Sequence, residues 1–460
     1  MTRTSSSSRL GRGLLWLVVI VIVLGLLAWL ATQVIRGTRP VTAAAQAPSA
    51  ELIKQGEYVA QLGDCAACHT AKGGKPFAGG LPIAAPIGTI YSSNITPDAD
   101  HGIGNYSYAD FERAVRQGVK RNGDTLYPAM PYPSYAGVSD QDMQALYAYF
   151  MHGVAPVAQA TPANAIRWPL SLRWPLTYWR WLYAPRVASE AVAVQMHDPV
   201  LARGAYLVDS LGHCGACHTP RAPTLQERAI SDRQGSLFLS GGAADNWLAP
   251  SLRGEMQNGL GSVSENELAS FLKSGRSQNL AAFGGMSDVV THSTRYMTDA
   301  DVEAVARYLK SLSAHSEQAA LSYDSATRNA LHSGNVAQVG ARLYVDNCAT
   351  CHRTDGRGYG QTFPALAGNP VVNGAAPDSL IRLVLRGSTM PAGRDAPTQF
   401  SMPAFDSRLS DQDIAEVLSF VRAGWGNQGA AVTAAQVQAL RAALPAGQAG
   451  PMTDYDPRNH

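Results

Sequence analysis

The sequence repeats one five-residue pattern three times, as Cys65-Ala-Ala-Cys68-His69, Cys214-Gly-Ala-Cys217-His218 and Cys348-Ala-Thr-Cys351-His352. The pattern C-x-x-C-H is the signature of covalent c-type haem attachment, because two thiols bond to the two vinyl groups of one porphyrin and hold the next His beneath the iron. A zinc half-site or a redox dithiol would also use a Cys pair. Three copies that take up all six Cys favour three covalent haems, with His69, His218 and His352 as proximal iron ligands.

Composition narrows the class of protein. At roughly 100 to 200 residues per domain, 460 residues suggest about three domains. A hydrophobic share of 46% is typical of a chain that folds. The formal net charge is only +2, so no strong field would draw the protein onto nucleic acid, and we expect no nucleic-acid partner.

The segments around each motif also repeat. Gly and Tyr precede each motif at comparable places, as Gly56/Tyr58, Gly204/Tyr206 and Gly340/Tyr344. A hydroxyl residue followed by acidic residues and apolar residues at helical spacing comes later each time, starting at Ser139, Thr298 and Ser410. These patterns predict a helix before and a capped helix after every motif. The expected fold is therefore all-α, with three tandem haem domains.

We expect the chain to be divided into nine parts. They are a cytoplasmic N-terminus (1–12), a transmembrane helix (13–35), a linker (36–49), a first domain (50–160), a Trp-rich segment (161–196), a second domain (197–318), a linker (319–332), a third domain (333–430) and a tail (431–460). The Trp-rich segment holds Trp168, Trp174, Trp179 and Trp181 among arginines. Such a cluster suits a membrane interface, a protein interface or a strap packed on its own domains.

The N-terminal apolar run is long enough to cross a membrane. No charged residue lies between Arg12 and Arg36, and residues 13–35 would span ~35 Å as a helix. Arg3, Arg9 and Arg12 precede the run, which favours a cytoplasmic N-terminus, although Arg36 and Arg39 follow it. The expected side of the inner membrane comes from the haem motifs, because bacterial c-type haem is attached on the periplasmic face, where the haem domains would lie. The alternative is a cleaved signal, for which the small residues at 43–47 offer a site.

A haem used for electron transfer commonly has Met as its second axial ligand. Met130 lies nine residues before Ser139, and Met402 lies eight before Ser410. In the middle domain Met286 lies twelve before Thr298. We expect these three as distal ligands. Their rivals are Met390, which is farther from its helix, and Met297, which abuts Thr298. The remaining His residues share no place in the repeat, so His on both sides of an iron is not expected.

These residues resemble a known family. The three haem motifs, the loop from Tyr127 to Tyr132 and the sequence Met402-Pro-Ala-Phe405, followed by Gly424-Trp425-Gly426-Asn427, are similar to the tri-haem cytochrome c subunit of membrane-bound bacterial dehydrogenases for alcohol, gluconate, sorbitol or fructose. The resemblance covers roughly residues 50–430. It implies cytochrome c-like domains in a periplasmic subunit that takes electrons from a flavin or PQQ catalytic partner and passes them to ubiquinone, with a small third subunit as a further partner. The N-terminal helix departs from the family, whose members commonly carry a cleaved signal.

Two other functions remain open on the sequence. A cytochrome c subunit of a terminal oxidase or other respiratory complex would also carry membrane-tethered haem domains. A free-standing haem peroxidase would need an open iron site, and three Met candidates argue against one. No acid/base or nucleophile motif indicates a catalytic residue, so we expect no substrate oxidation by this chain alone.

Overall fold

A computed structural model describes residues 7–35, 44–185, 187, 196–244 and 246–444. The start of the expected cytoplasmic N-terminus (1–6), most of the first linker (36–43), the end of the Trp-rich segment (188–195) and the end of the tail (445–460) lie outside the described residues.

The first helix, α1 (Ser7–Ile35), contributes no described residue to the two packed cores. Its stretch Arg12–Thr32 is strongly apolar, and the most apolar part of that stretch is not buried by the rest of the protein. The stretch is long and apolar enough to cross a membrane, and a signal sequence would have the same properties.

The remaining helices and strands are short. Around the first motif they are α2 (Ala50–Leu62), α3 (Cys65–His69), β1 (Pro82–Ala85), β2 (Gly88–Tyr91), α4 (Tyr108–Gln117), α5 (Tyr132–Tyr135), α6 (Asp140–Ala148), β3 (Ala165–Ile166) and α7 (Pro175–Tyr183). Around the second they are α8 (Pro199–Ala205), which a π-helical turn (Tyr206–Leu211) continues, α9 (Gly215–His218), β4 (Gly242–Ala244), β5 (Trp247–Ala249), α10 (Glu265–Ser274), α11 (Gly285–His292) and α12 (Asp299–Ser311). Around the third they are α13 (Ala326–His332), α14 (Val339–Asn347), α15 (Ala349–His352), α16 (Asp378–Arg386), β6 (Ser388–Thr389), β7 (Ser401–Met402), α17 (Asp411–Ala423) and α18 (Ala434–Ala443).

The fold is helix-rich rather than all-α. The strands form three small antiparallel sheets, β1-β2-β3, β4-β5 and β6-β7. Each strand has only two to four residues, which is too short for an alternating pattern to be read from sequence.

Three helix pairs dominate the packing, and each pair crosses at a glycine. In every pair the helix before the motif packs against the capped helix after it, as α2 with α6, α8 with α12 and α14 with α17. A Cβ atom on the glycine would lie within 2.3 Å of a carbonyl oxygen of the partner helix, namely Gly56 against Ala145 at 1.9 Å, Gly204 against Ala304 at 2.1 Å and Gly340 against Glu416 at 2.3 Å. Since no side chain fits there, the crossing requires glycine in all three pairs.

The predicted helix caps are confirmed. The side chains of Ser139, Thr298 and Ser410 accept hydrogen bonds from the backbone N–H three residues later. In α17 the third residue, Asp413, also accepts from the Ser410 N–H at 3.0 Å, which closes a capping box. The corresponding aspartates, Asp142 of α6 and Asp301 of α12, accept side-chain hydrogen bonds from tyrosines instead.

Those two aspartates join the first two helix pairs by a reciprocal exchange. The Tyr58 hydroxyl donates to Asp301 at 2.7 Å and accepts from the Thr298 N–H at 2.9 Å. In the opposite direction, the Tyr206 hydroxyl donates to Asp142 at 2.5 Å and accepts from the Ser139 N–H at 3.3 Å. The buried residues of the two pairs form one continuous core.

A salt bridge strengthens one side of this exchange. Arg203 donates two hydrogen bonds of 2.8 Å to Asp301. Burial acts to raise the pKa of Asp301, but the bonds from Arg203 and Tyr58 outweigh it and hold that pKa below its ordinary value. The carboxylate therefore stays charged at neutral pH.

The tyrosine before the third motif is not equivalent to the other two. Tyr344 lies four residues after its glycine instead of two, is fully buried, and donates to the Arg353 carbonyl at 2.6 Å. The prediction of three comparable tyrosines therefore holds only for Tyr58 and Tyr206.

The third core is larger than the expected range 333–430. In the expected tail, α18 buries Val437, and Arg441 donates to Asp411 at 2.7 Å. In the expected linker, α13 contributes Leu331 to the same core, and Thr327 accepts from the Trp425 N–H at 3.1 Å.

We expect Gly340→Ala to lower the free energy of unfolding by about 1–3 kcal/mol, because the new methyl group forces α14 away from α17. Urea unfolding followed by circular dichroism measures the change. Gly424→Ala is the matched control, since a Cβ there would meet its nearest atom, the Thr327 methyl, at an ordinary 3.4 Å. Equal losses in the two variants would contradict the role of the crossing.

Candidate haem sites

Each C-x-x-C-H motif forms a single helical turn just after the first helix of its pair. The turns are α3, α9 and α15. A helical turn places residues three apart on the same face, so the two thiols of each motif project together. None of the six Cys forms a disulfide.

The His of each motif makes the same second bond. Each Nδ1 lies within hydrogen-bond distance of a backbone carbonyl, as His69 with Ser93 at 2.7 Å, His218 with Pro250 at 2.8 Å and His352 with Pro364 at 3.0 Å. A carbonyl only accepts, so Nδ1 carries the proton and Nε2 keeps the lone pair that binds a metal. Burial lowers the pKa of all three imidazoles against the opposing effect of the carbonyl. Each ring is therefore neutral and oriented as a ligand.

The thiols do not have the properties of a redox dithiol. Burial raises the pKa of Cys65, Cys214 and Cys348 to about 12, whereas a reactive dithiol has a lowered thiol pKa. Among the described residues, no three His, Cys, Asp or Glu side chains converge on one point. Of the chemistries open to the pattern, haem attachment is the one that the geometry fits.

A large cavity lies between the motifs. Its volume is about 1110 Å³. Among the predicted site residues, those lining it are Cys68, Cys214, Cys217, His218, Met286, Cys348, Cys351, His352 and Met402. The predicted residues of the second and third sites therefore open onto one shared space. Cys65, His69 and Met130 do not line it, although Ala129 and Pro131 beside Met130 do.

Two of the predicted Met ligands occupy matching places. After α4, Val119 pairs with Thr125, and after α10, Arg276 pairs with Ala281. Met130 and Met286 each lie five residues beyond the second member of the pair. Both side chains are half-buried against the shared core. Equivalent loops thus carry these two sulfurs.

The third loop is built differently. Ser388 pairs directly with Met402 in the β6-β7 ribbon, and residues 390–400 form an excursion between the two strands. Both Met402 and its rival Met390 line the cavity. Met402 also packs against the third core.

The rival in the middle site has a structural role. Met297 directly precedes the cap of α12, as Val138 precedes that of α6 and Leu409 that of α17. All three side chains are buried, and so are the residues five positions later, Met143, Val302 and Ile414. This is the arrangement of a hydrophobic staple at a helix start. The place of Met297 in the repeat is therefore that of a core residue, although it also borders the cavity.

Two half-buried carboxyl groups near the second motif belong to no motif that the sequence shows. Burial raises the pKa of Asp209, which accepts from the Tyr308 hydroxyl at 3.2 Å, to about 7. Burial likewise raises the pKa of Glu227, a cavity residue, to about 7. The charge around the second site therefore changes near neutral pH.

Comparison with known proteins agrees with this chemistry. The family model for cytochrome c matches residues 53–153 and 337–425. The chain is 57% identical over 395 residues to the gluconate 2-dehydrogenase cytochrome c subunit of Pantoea cypripedii, covering 85% of this chain and 89% of that protein. It is 50% identical to the cytochrome c subunit of alcohol dehydrogenase (quinone) of Gluconobacter oxydans (strain 621H), covering 86% and 84%. The fructose dehydrogenase cytochrome subunit of Gluconobacter japonicus is 38% identical, covering 88% and 85%.

We expect Met286→Ala to remove about a third of the thioether-to-iron charge-transfer absorbance of the oxidised protein, since one of three Met ligands is lost. Met297→Ala should leave that band unchanged and lower stability instead. Absorbance spectra of the two variants measure the difference. A band that responds to Met297→Ala and not to Met286→Ala would reverse the assignment.

Proposed function

The chain belongs to the family of cytochrome c subunits of membrane-bound dehydrogenases and carries electrons from such a dehydrogenase, and we propose that it holds three covalent haems and delivers the electrons to ubiquinone. The proposed number of haems rests on one observation. A helical turn with a Cys pair and a His whose Nδ1 is bound to a backbone carbonyl occurs three times.

Each haem would be held in the same way. The Cys pairs 65/68, 214/217 and 348/351 would supply the thioether bonds, and His69, His218 and His352 the proximal nitrogens. Bound haem supplies one-electron redox chemistry at its iron. The protein itself would orient each imidazole through the backbone carbonyl that is bound to Nδ1. Its apolar cavity walls would exclude water.

Met130, Met286 and Met402 would fill the distal positions. Met130 and Met286 are supported by their matching loops, and Met402 by its place beside the third core. Three sulfur ligands leave no open iron site for a small substrate, which suits electron transfer rather than peroxidase chemistry.

Three tandem domains, 50–160, 197–318 and 333–430, would each hold one haem. The third includes α13 and α18 as well, because both contribute to its core. The first two share a core and the reciprocal tyrosine exchange.

The electron donor would be a flavin- or PQQ-dependent catalytic subunit that oxidises an alcohol, a sugar or a sugar acid, accompanied by a small third subunit. The names of the relatives support this range of substrates, since they belong to gluconate, alcohol and fructose dehydrogenases. The alcohol dehydrogenase relative is named for quinone, which supports ubiquinone as the acceptor.

Helix α1 would anchor the protein in the inner membrane, with the haem domains in the periplasm. The stretch Arg12–Thr32, which carries no charged residue after Arg12, supports retention as a span. The arginines before it support a cytoplasmic N-terminus. A membrane-bound carrier reaches quinone directly, because quinone is confined to the bilayer.

The purified protein should contain three haems per chain that survive denaturation. A haemochrome-to-protein ratio and a haem-stained denaturing gel measure this. Cys348→Ala should lower the ratio to two, because the other two attachment turns are intact. A ratio of two in the unchanged protein would contradict the count.

The complex of this protein with its dehydrogenase should show reduced haem spectra on addition of alcohol or sugar substrate, followed by reoxidation with a soluble ubiquinone analogue. The isolated cytochrome should stay oxidised with the same substrates, because it has no catalytic site. Reduced haems that ignore the quinone analogue would refute the proposed acceptor.

A further inference from the structure

The Trp-rich stretch from Trp168 to Tyr183, here the aromatic segment, is fixed on one side to the haem-bearing cores. The Trp179 indole N–H donates to the Thr224 carbonyl at 2.8 Å, and its ring packs edge-on against Tyr132. Thr177 is buried with its hydroxyl 3.2 Å from that of Thr125. The segment therefore lies against the Met130 loop as a defined element.

Its other side is apolar and exposed. Trp168 is 79% exposed, Trp181 60% and Leu182 59%, and Leu170 and Leu172 are also exposed. An exposed apolar patch of this kind marks a contact with a membrane or with another protein.

Charge distinguishes between those two partners. Residues 143–189 contain no Asp or Glu, whereas arginines recur at 167, 173 and 180. Arg167 is exposed beside Trp168, while Arg173 stacks on the Tyr127 ring at 4.0 Å. Tryptophan and arginine without acidic residues are the composition of a surface that meets lipid headgroups.

The segment also lies at the level of the bilayer surface. The Tyr178 hydroxyl donates to the backbone carbonyl of Ala28 in α1 at 2.6 Å. Ala28 precedes Thr32, the end of the apolar stretch, by four residues, which is about 6 Å along the helix axis. Interfacial helices bury their apolar face about 5–10 Å into the headgroup and acyl boundary. The two depths agree.

We propose that the aromatic segment inserts its Trp168, Trp181 and Leu182 side chains into the outer leaflet and forms a second membrane contact beside α1. The inference rests on the proposed retention of α1 as a span. The segment is fixed to the Met130 loop, so the contact holds the first helix pair against the bilayer. A tether alone would leave the orientation of that pair free.

A photo-cross-linking amino acid tests the contact in the full chain. Trp168→p-benzoylphenylalanine and, separately, Trp181→p-benzoylphenylalanine are made in native membranes that contain the dehydrogenase and phospholipids with alkyne-tagged acyl chains. We expect tagged lipid adducts at both positions. Tyr359→p-benzoylphenylalanine is the control, since Tyr359, seven residues after His352, is 49% exposed and should give none. Adducts with the dehydrogenase subunits, or no lipid adduct at either position, would overturn the proposal.

A second pair of variants links the adduct to the exposed face. Trp181→Glu combined with Leu182→Glu should abolish the lipid adduct at position 168, because a carboxylate is excluded from the acyl boundary, whereas Trp181→Phe should keep it. Unchanged haem content in both variants shows that they fold. Persistence of the adduct in the glutamate variant would also overturn the proposal.

Failure of the proposed function would be recognised separately. N-terminal sequencing reports whether α1 is retained, and quinone reoxidation reports the acceptor. Absent adducts with α1 retained and quinone active refute the membrane contact alone. Lipid adducts with quinone inactive support the contact and refute the acceptor.

Discussion

The close crossing of two helices at a glycine is the constraint on which the rest of the structure depends. Attachment turn α3 begins three residues after the end of α2, and α15 begins two residues after α14. Turn α9 begins four residues after the π-helical turn Tyr206–Leu211 that continues α8. In each pair, the helix before the attachment turn is held by a backbone contact that tolerates no Cβ atom. The crossing therefore sets where the Cys pair and its His can lie. The cap of the second helix follows the Met loop, so the same contact also relates the two sides of each site.

The sequence predicted the parts of each site that repeat, and missed the parts that do not. The Cys pairs, the His and the caps of α6, α12 and α17 recur at fixed places. The carbonyls that orient the His rings lie 24, 32 and 12 residues after them. No spacing rule finds such partners, because any backbone carbonyl serves as an acceptor. The short strands were missed for a related reason, since two to four residues carry no readable periodicity.

One repeated aspartate shows how tertiary context changes the role of a motif. The third residue of each capped helix is Asp142, Asp301 or Asp413. In α17 it closes a capping box on its own helix. In α6 and α12 it accepts instead from the tyrosine of the other helix pair. The difference follows from a tyrosine two residues after Gly56 and Gly204, a place that Arg342 occupies before the third motif. A shift of a side chain by half a turn therefore decides which pairs share a core.

The third helix pair is joined to the second by a different device. Buried Arg276 donates to the carbonyls of Pro391 at 3.0 Å and Thr398 at 2.7 Å, both in the excursion of the third ribbon. Arg276 is also the first residue of the short pairing that precedes Met286. One guanidinium thus connects the loop before one predicted sulfur ligand to the loop before another, Met402. Both loops border the same cavity. Holding the loops together therefore also fixes the position of the second site relative to the third. Electron transfer between neighbouring haems requires such a fixed relation, which a flexible linker between independent domains would not supply.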